Sequence, residues 1–203
     1  MMNRKRVIVD TDFINYMDRP NDGSGITILK KLISDLNLEL IVHEFLYNKE
    51  LMGNAFARHL KEEGLLTVIT YEDFVEAEDE SYYTQMFEDM YEFCNGRELN
   101  WGHKNYRTYQ ESRANLGEIH SIILAMFTGH DLFFSNDKGA KLLVDVKVNT
   151  GAFSISVKNV MDIFKEVAEM KSKCLTKNDF IILTKGDISR KDQIKEIKDL
   201  WHE

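Results

Sequence analysis

Short apolar runs alternate along the chain with stretches whose apolar residues recur every three or four positions, a pattern that predicts strands and helices in turn. Arg6-Val7-Ile8-Val9, ending at Asp10, reads as a first strand, and Leu38 to Val42, Leu65 to Ile69 and Leu132 to Ser135 read as three more. A loop holding the only proline, Pro20, and the turn-rich Asn21-Asp22-Gly23-Ser24-Gly25 follows the first strand. Ile26, Leu29, Leu32, Ile33 and Leu36 then share one helix face. His43 to about Leu60 reads as a long helix with Phe45, Leu46, Met52 and Phe56 inward, stopped by Gly64. Further helices are expected over about Asn115 to Thr128, Asp137 to Asp145 and Val157 to Lys171, with an added strand at Phe153 to Ser156. The tail has an apolar stretch at Phe180 to Leu183 and a charged helix pattern at Lys191 to Trp201. Such alternation implies an α/β fold, a parallel sheet with helices on both faces. No internal repeat is visible.

Residues 71–112 break this alternation and read as an insertion. The first half is acidic, then Tyr82, Tyr83, Met86, Phe87, Met90 and Tyr91 recur at helical spacing, as in a helix packed on the core. Beyond it Arg97, Trp101, Lys104, Tyr106, Arg107, Tyr109 and Arg113 interleave cations with aromatics. That combination tracks a single-stranded backbone while stacking its bases, so Arg97, Trp101, Lys104, Arg107 and Arg113 are candidate substrate-binding residues; a solvated loop and helix start is the alternative.

Composition narrows the classes. With 203 residues and 43% apolar content the chain suits one core, with residues 1–150 as the main domain and 151–203 as an extension packed on it. A net charge of −8 argues against a general DNA-coating role but permits a nucleic-acid enzyme whose metal ions neutralise phosphates locally. Cys94 and Cys174 match no zinc spacing and read as free thiols of a reducing compartment. The apolar run after Arg4, Lys5 and Arg6 stops after three residues, too short for a signal-peptide core or a membrane span, so a cytoplasmic protein without membrane attachment is expected.

The chemistry is concentrated in four acids. Asp10 and Asp137 follow the first and fourth strands, and in an open α/β sheet the ligand crevice lies outside such carboxyl ends. Glu118 follows Gly117 near a helix start, where the helix dipole favours a carboxylate. Glu50 lies on the second helix; Glu44, six residues earlier and about 120° round an ideal helix, is the alternative. Gathered carboxylates make a site for a hard cation, Mg²⁺ or Mn²⁺, whose natural substrate is a phosphodiester. No pair of histidines among His43, His103, His120 and His130 has a ligand spacing.

Val7-Ile8-Val9-Asp10-Thr11, Glu50-Leu51, Gly117-Glu118 with Ser121-Ile122-Ile123-Leu124-Ala125, and Leu132-Phe133-Phe134-Ser135-Asn136-Asp137 resemble, over about residues 5–150, the PIN-domain family of metal-dependent nucleases. The resemblance implies a small α/β/α sandwich in which Asp10, Glu50, Glu118 and Asp137 hold one or two Mg²⁺ or Mn²⁺ ions, supported by Thr11, Asp12 and Asn136. It implies an endoribonuclease whose products carry a 5′-phosphate and a 3′-hydroxyl, with RNA as substrate and with a homodimer, or a protein inhibitor or partner, as further expectations. Asp12 stands where the family usually has a small polar residue. Two other readings compete. Asp10-Thr11-Asp12 after a strand also suits a haloacid-dehalogenase-like phosphatase, though Phe13-Ile14-Asn15 fits its opening poorly. A catalytically degenerate PIN fold would act only as an RNA- or protein-binding module.

Overall fold

Val7, Ile8 and Val9 are completely buried, as a central strand of a covered sheet requires. In the computed structural model, which describes residues 4–20, 22–112, 114–151 and 153–201, they belong to β1 (Lys5–Val9). The other strands are β2 (Leu38–His43), β3 (Leu66–Ile69), β4 (Leu132–Phe134) and β5 (Ser156–Lys158). All pair in parallel in the order β3-β2-β1-β4-β5, with Val7 opposite Leu40 and Ile8 opposite Phe133. The chain moves outward from β1 through β2 and β3, then returns to β4 on the other side of β1. The order therefore reverses between β1 and β4, and a crevice opens beyond their carboxyl ends.

The helices are α1 (Thr11–Met17), α2 (Ser24–Leu36), α3 (Glu44–Leu46), α4 (Ala55–Glu62), α5 (Glu80–Asn95), α6 (Leu116–Thr128), α7 (Lys138–Lys147), α8 (Val160–Glu169), α9 (Lys177–Leu183) and α10 (Lys191–Leu200). Helix α6 packs over β1, β2 and β4, and its residues from Ile119 to Ala125 are all buried. A helix apolar on nearly every side belongs inside the molecule, and its start is thereby fixed against the sheet. Residues beyond 150 supply the edge strand β5 and buried Phe164, Phe180 and Leu183, tied to α2 by the Lys31–Asp179 ion pair. No helix among the described residues is long and apolar enough to cross a membrane.

Three elements differ from the sequence reading. The stretch after β1 is helical rather than a loop: the Asp10 side chain accepts from the Thr11 N–H and caps α1, while Phe13, Ile14, Tyr16 and Met17 are buried. Two turns are too short to display a helical period in the sequence. The long helix expected from His43 is broken, because Tyr47–Leu51 is a π-helical turn and the Asn54 side chain starts α4 afresh by accepting from the Ala57 N–H at 3.0 Å. The last strand lies at Ser156–Lys158 rather than Phe153 to Ser156, in register with Leu132 to Phe134.

The insertion is anchored by a buried polar knot. The Tyr83 hydroxyl meets His120 Nδ1 at 2.6 Å, and His43 stacks on His120 with ring centroids 5.1 Å apart. Burial pushes His43 down to about 3 and His120 well below the ordinary imidazole range, with the charge of His43 adding to the latter. Both rings are therefore neutral packing groups beneath the insertion.

Candidate functional site

Thr11 and Ser135 stitch the acids together. Asp10 lies at the tip of β1, 3% exposed, with Oδ1 accepting from the Thr11 N–H at 2.6 Å and Oδ2 from the Ser135 hydroxyl at 2.8 Å. The Thr11 hydroxyl donates to Glu50 at 2.5 Å, and Ser135 Oγ accepts from the Asp137 N–H at 3.1 Å. A continuous path thus runs from Glu50 through Thr11, Asp10 and Ser135 to Asp137. Asp137 also caps α7, accepting from the Gly139 N–H at 2.7 Å. Ser135, which no sequence signal separated from the apolar run around it, is a linking member of the site.

Glu118 sits in the first turn of α6 and feels the same charges. Burial, and then the charges of Glu50, Asp137 and Asp12, push its carboxyl up to about 7 against the pull of its own backbone N–H. Burial likewise raises Asp10 to about 8, with Glu118 and Asp12 adding to the effect and the hydrogen bonds from Ser135 and Thr11 opposing it. Among the described residues no Lys or Arg forms an ion pair with Asp10, Asp12, Glu50, Glu118 or Asp137. The negative charge is left uncompensated by the protein, and all the donors on offer are hard oxygens, the set that suits Mg²⁺ or Mn²⁺. Among the described residues no group of three or more His, Cys, Asp or Glu is arranged so as to hold a metal ion.

Glu44 and Glu50 are separated by what they touch. The Glu44 carboxylate accepts from the Tyr71 N–H at 2.6 Å, under the insertion, whereas Glu50 is exposed and reaches Thr11. Glu50 lies within the π-helical turn, whose wider winding aims its side chain differently from an ideal helix. Gly117 makes the approach of Glu50 to α6 possible: a Cβ there would lie 2.8 Å from Glu50 Oε1 and 3.0 Å from Leu46 Cδ1. Gly117→Ala is expected to push Glu50 away from Thr11 and to cost about 1–3 kcal/mol through overpacking at Leu46. Urea unfolding reads the second effect, and the structure of the variant reads the first.

Of the supporting residues, Asp12 is exposed on α1. Asn136 donates to the Asp12 carbonyl at 3.3 Å and accepts from the Val160 N–H at 3.1 Å, joining α1 to the start of α8. A cleft of about 520 Å³ borders Glu50 and Glu118, one wall being Gln110, Glu111 and Ser112 at the end of the insertion. The insertion's cations face its own acids: Arg97 pairs with Glu111, and Arg107 with Glu72 and Glu80. Trp101 stacks on Phe87 at 5.4 Å and donates to Glu88, and Lys104 is exposed. Arg113 lies outside the described residues. No family model, no curated protein and no solved structure matches the chain.

Proposed function

We propose that the chain is a PIN-like, Mg²⁺- or Mn²⁺-dependent endoribonuclease hydrolysing phosphodiester bonds of RNA. The observation that carries this reading is the hydrogen-bonded path Glu50–Thr11–Asp10–Ser135–Asp137 at the reversal of strand order, with Glu118 beside it and no cation of the described protein pairing with the set. Asp10, Glu118 and Asp137 would hold the ion or ions, which supply the positive charge that makes water a nucleophile at neutral pH and stabilises the leaving oxygen. Thr11 and Ser135 keep Asp10 in one rotamer, so the central carboxylate needs no reorganisation when charge develops. Glu50, held by the Thr11 hydroxyl at the open side of the cleft, orients the attacking water. The cytoplasm, where RNA is abundant, belongs to the same proposal.

Ser135 is also the hydroxyl at a strand end that a haloacid-dehalogenase-like phosphatase would need. Against that reading, Phe13-Ile14-Asn15 after Asp12 fits the opening of such an enzyme poorly. Incubation of labelled single-stranded RNA and of a phosphomonoester with Mn²⁺, Mg²⁺ or EDTA tests the proposal. Metal-dependent cutting to 5′-phosphate and 3′-hydroxyl ends is expected. Release of phosphate from the monoester alone would move the assignment to the phosphatase, and metal binding or RNA binding with no hydrolysis to a binding module.

A further inference from the structure

A second cavity opens on the other side of Asn136. It measures about 210 Å³ and is lined by Asp12, Asn15, Tyr16, Arg19, Asn136 and Arg190. Two guanidinium groups from opposite ends of the chain converge there. Arg19 lies over the Tyr16 ring at 4.0 Å and Arg190 at 5.2 Å from its centroid. Both are anchored from behind by Asp187, whose side chain is 5% exposed: Arg19 pairs with it at 3.0 Å, the Tyr16 hydroxyl donates to it at 2.9 Å, and Arg190 Nε stands 3.9 Å away. Burial works against the Asp187 charge, but hydrogen bonds from Ser189, Tyr16 and Arg19 outweigh it and hold the carboxyl below its ordinary range. Arg190 also donates to Asn136 at 3.2 Å.

We infer that this Arg19–Arg190 cavity is a phosphate subsite that grips the substrate strand at a phosphate next to the one being cut. The inference rests on the nuclease reading for its substrate. Each guanidinium has five N–H donors in a planar fork, and the bonds to Asp187 and Asn136 employ only a few of them. One aspartate anchors two arginines, and the charge of Asp12, the other acid of the cavity, reaches Asp10 and Glu118, so that a cation held by those acids would offset it as well. In a chain of net charge −8, a paired arginine cavity sharing Asp12 and Asn136 with the acid crevice is placed for a phosphate oxygen. The subsite is a contribution of the C-terminal extension, since Arg190 follows α9.

The test measures anisotropy of labelled single-stranded RNA in Mg²⁺ with Glu50→Gln protein, which lacks the water-orienting carboxylate and so does not cut but keeps the residues that would hold the cation, with and without Arg190→Gln or Arg190→Lys. Arg190→Gln is expected to weaken binding about ten-fold and to reduce the slope of log K against log salt by about 0.7, the value for one fewer neutralised phosphate on a single strand. Arg190→Lys keeps a charge beside Asp187 and so controls for folding; it should keep the salt slope and lose part of the affinity. In RNA whose phosphates are replaced one at a time by methylphosphonate, a single position should matter to the parent and cease to matter in Arg190→Gln. An internal position identifies a backbone diester and the 5′ end a terminal phosphate. Unchanged affinity and slope in a folded Arg190→Gln protein would overturn the inference while leaving cleavage standing. If the parent neither binds nor cuts RNA, the nuclease reading fails. An Arg190-dependent rise of the thermal midpoint with inorganic phosphate in Mg²⁺ would then still support the subsite, and its absence would sink both.

Discussion

Asp10→Asn is expected to lower metal-dependent RNA cleavage by about a hundred-fold or more and, without metal, to raise the unfolding midpoint at pH 8. Both effects come from one charge. The asparagine carbonyl can still accept from the Thr11 N–H, and its NH₂ can donate to Ser135 Oγ, so the two hydrogen bonds that fix the side chain survive. What disappears is a carboxylate that burial and the charges of Glu118 and Asp12 push up to about 8. Removing it relieves repulsion in the metal-free protein and removes the central oxygen donor from the loaded one. Rate measurements at saturating Mn²⁺, with thermal unfolding in EDTA, read the two effects separately. A variant that cuts RNA at the parental rate removes Asp10 from the mechanism; one destabilised like an ordinary buried substitution removes the repulsion argument.

The pH dependence of metal-free stability follows from the same groups. Asp10 and Glu118 titrate near 8 and 7 in the folded chain but near 3.8 and 4.5 when unfolded, so across that interval the native state binds more protons. Stability from these groups is fully present below the unfolded values and is lost as pH rises through the folded ones. His43 and His120, held neutral by burial, have the opposite slope, which fades above about pH 6.5 as the unfolded imidazoles lose their protons. Between pH 6.5 and 8 the acids outweigh the histidines, and at about 1.4 kcal/mol per unit for each proton the metal-free protein should lose on the order of 2 kcal/mol. Urea unfolding in EDTA across that window measures the loss. Saturating Mn²⁺ should flatten it, because a cation replaces the protons, and Asp10→Asn should shrink it. A flat profile in EDTA would mean that the acids are solvated and independent.

How far the sequence carried the site is clear residue by residue. Asp10 and Asp137 could be read because each follows an apolar run, and strand ends in a parallel sheet share one rim whatever the intervening chain does. Glu118 could be read from Gly117 before it and the apolar helix after it. Glu50 rested on the family resemblance, since an ideal helix gives it no advantage over Glu44; the advantage comes from the π-helical turn, which has no sequence signal of its own, and from the room that Gly117 leaves beside it. Helix α1 was invisible because two turns next to Pro20 and the glycines look like a loop. Ser135 and the pair Arg19 and Arg190 were missed for another reason. Their roles are set by which segments meet, β1 with β4 and α1 with the segment after α9, and pairings over more than a hundred residues leave no local pattern.

The most direct test is calorimetric titration of Mn²⁺ into the EDTA-stripped protein at pH 7, in two buffers of different ionisation heat, for the parent and Asp10→Asn. The account predicts saturable binding in the parent with release of protons, since acids held near 7 and 8 must give them up, and loss of both in the variant. Identical, non-saturating heats in the two proteins, with no proton release, would contradict a cation site built on these carboxylates.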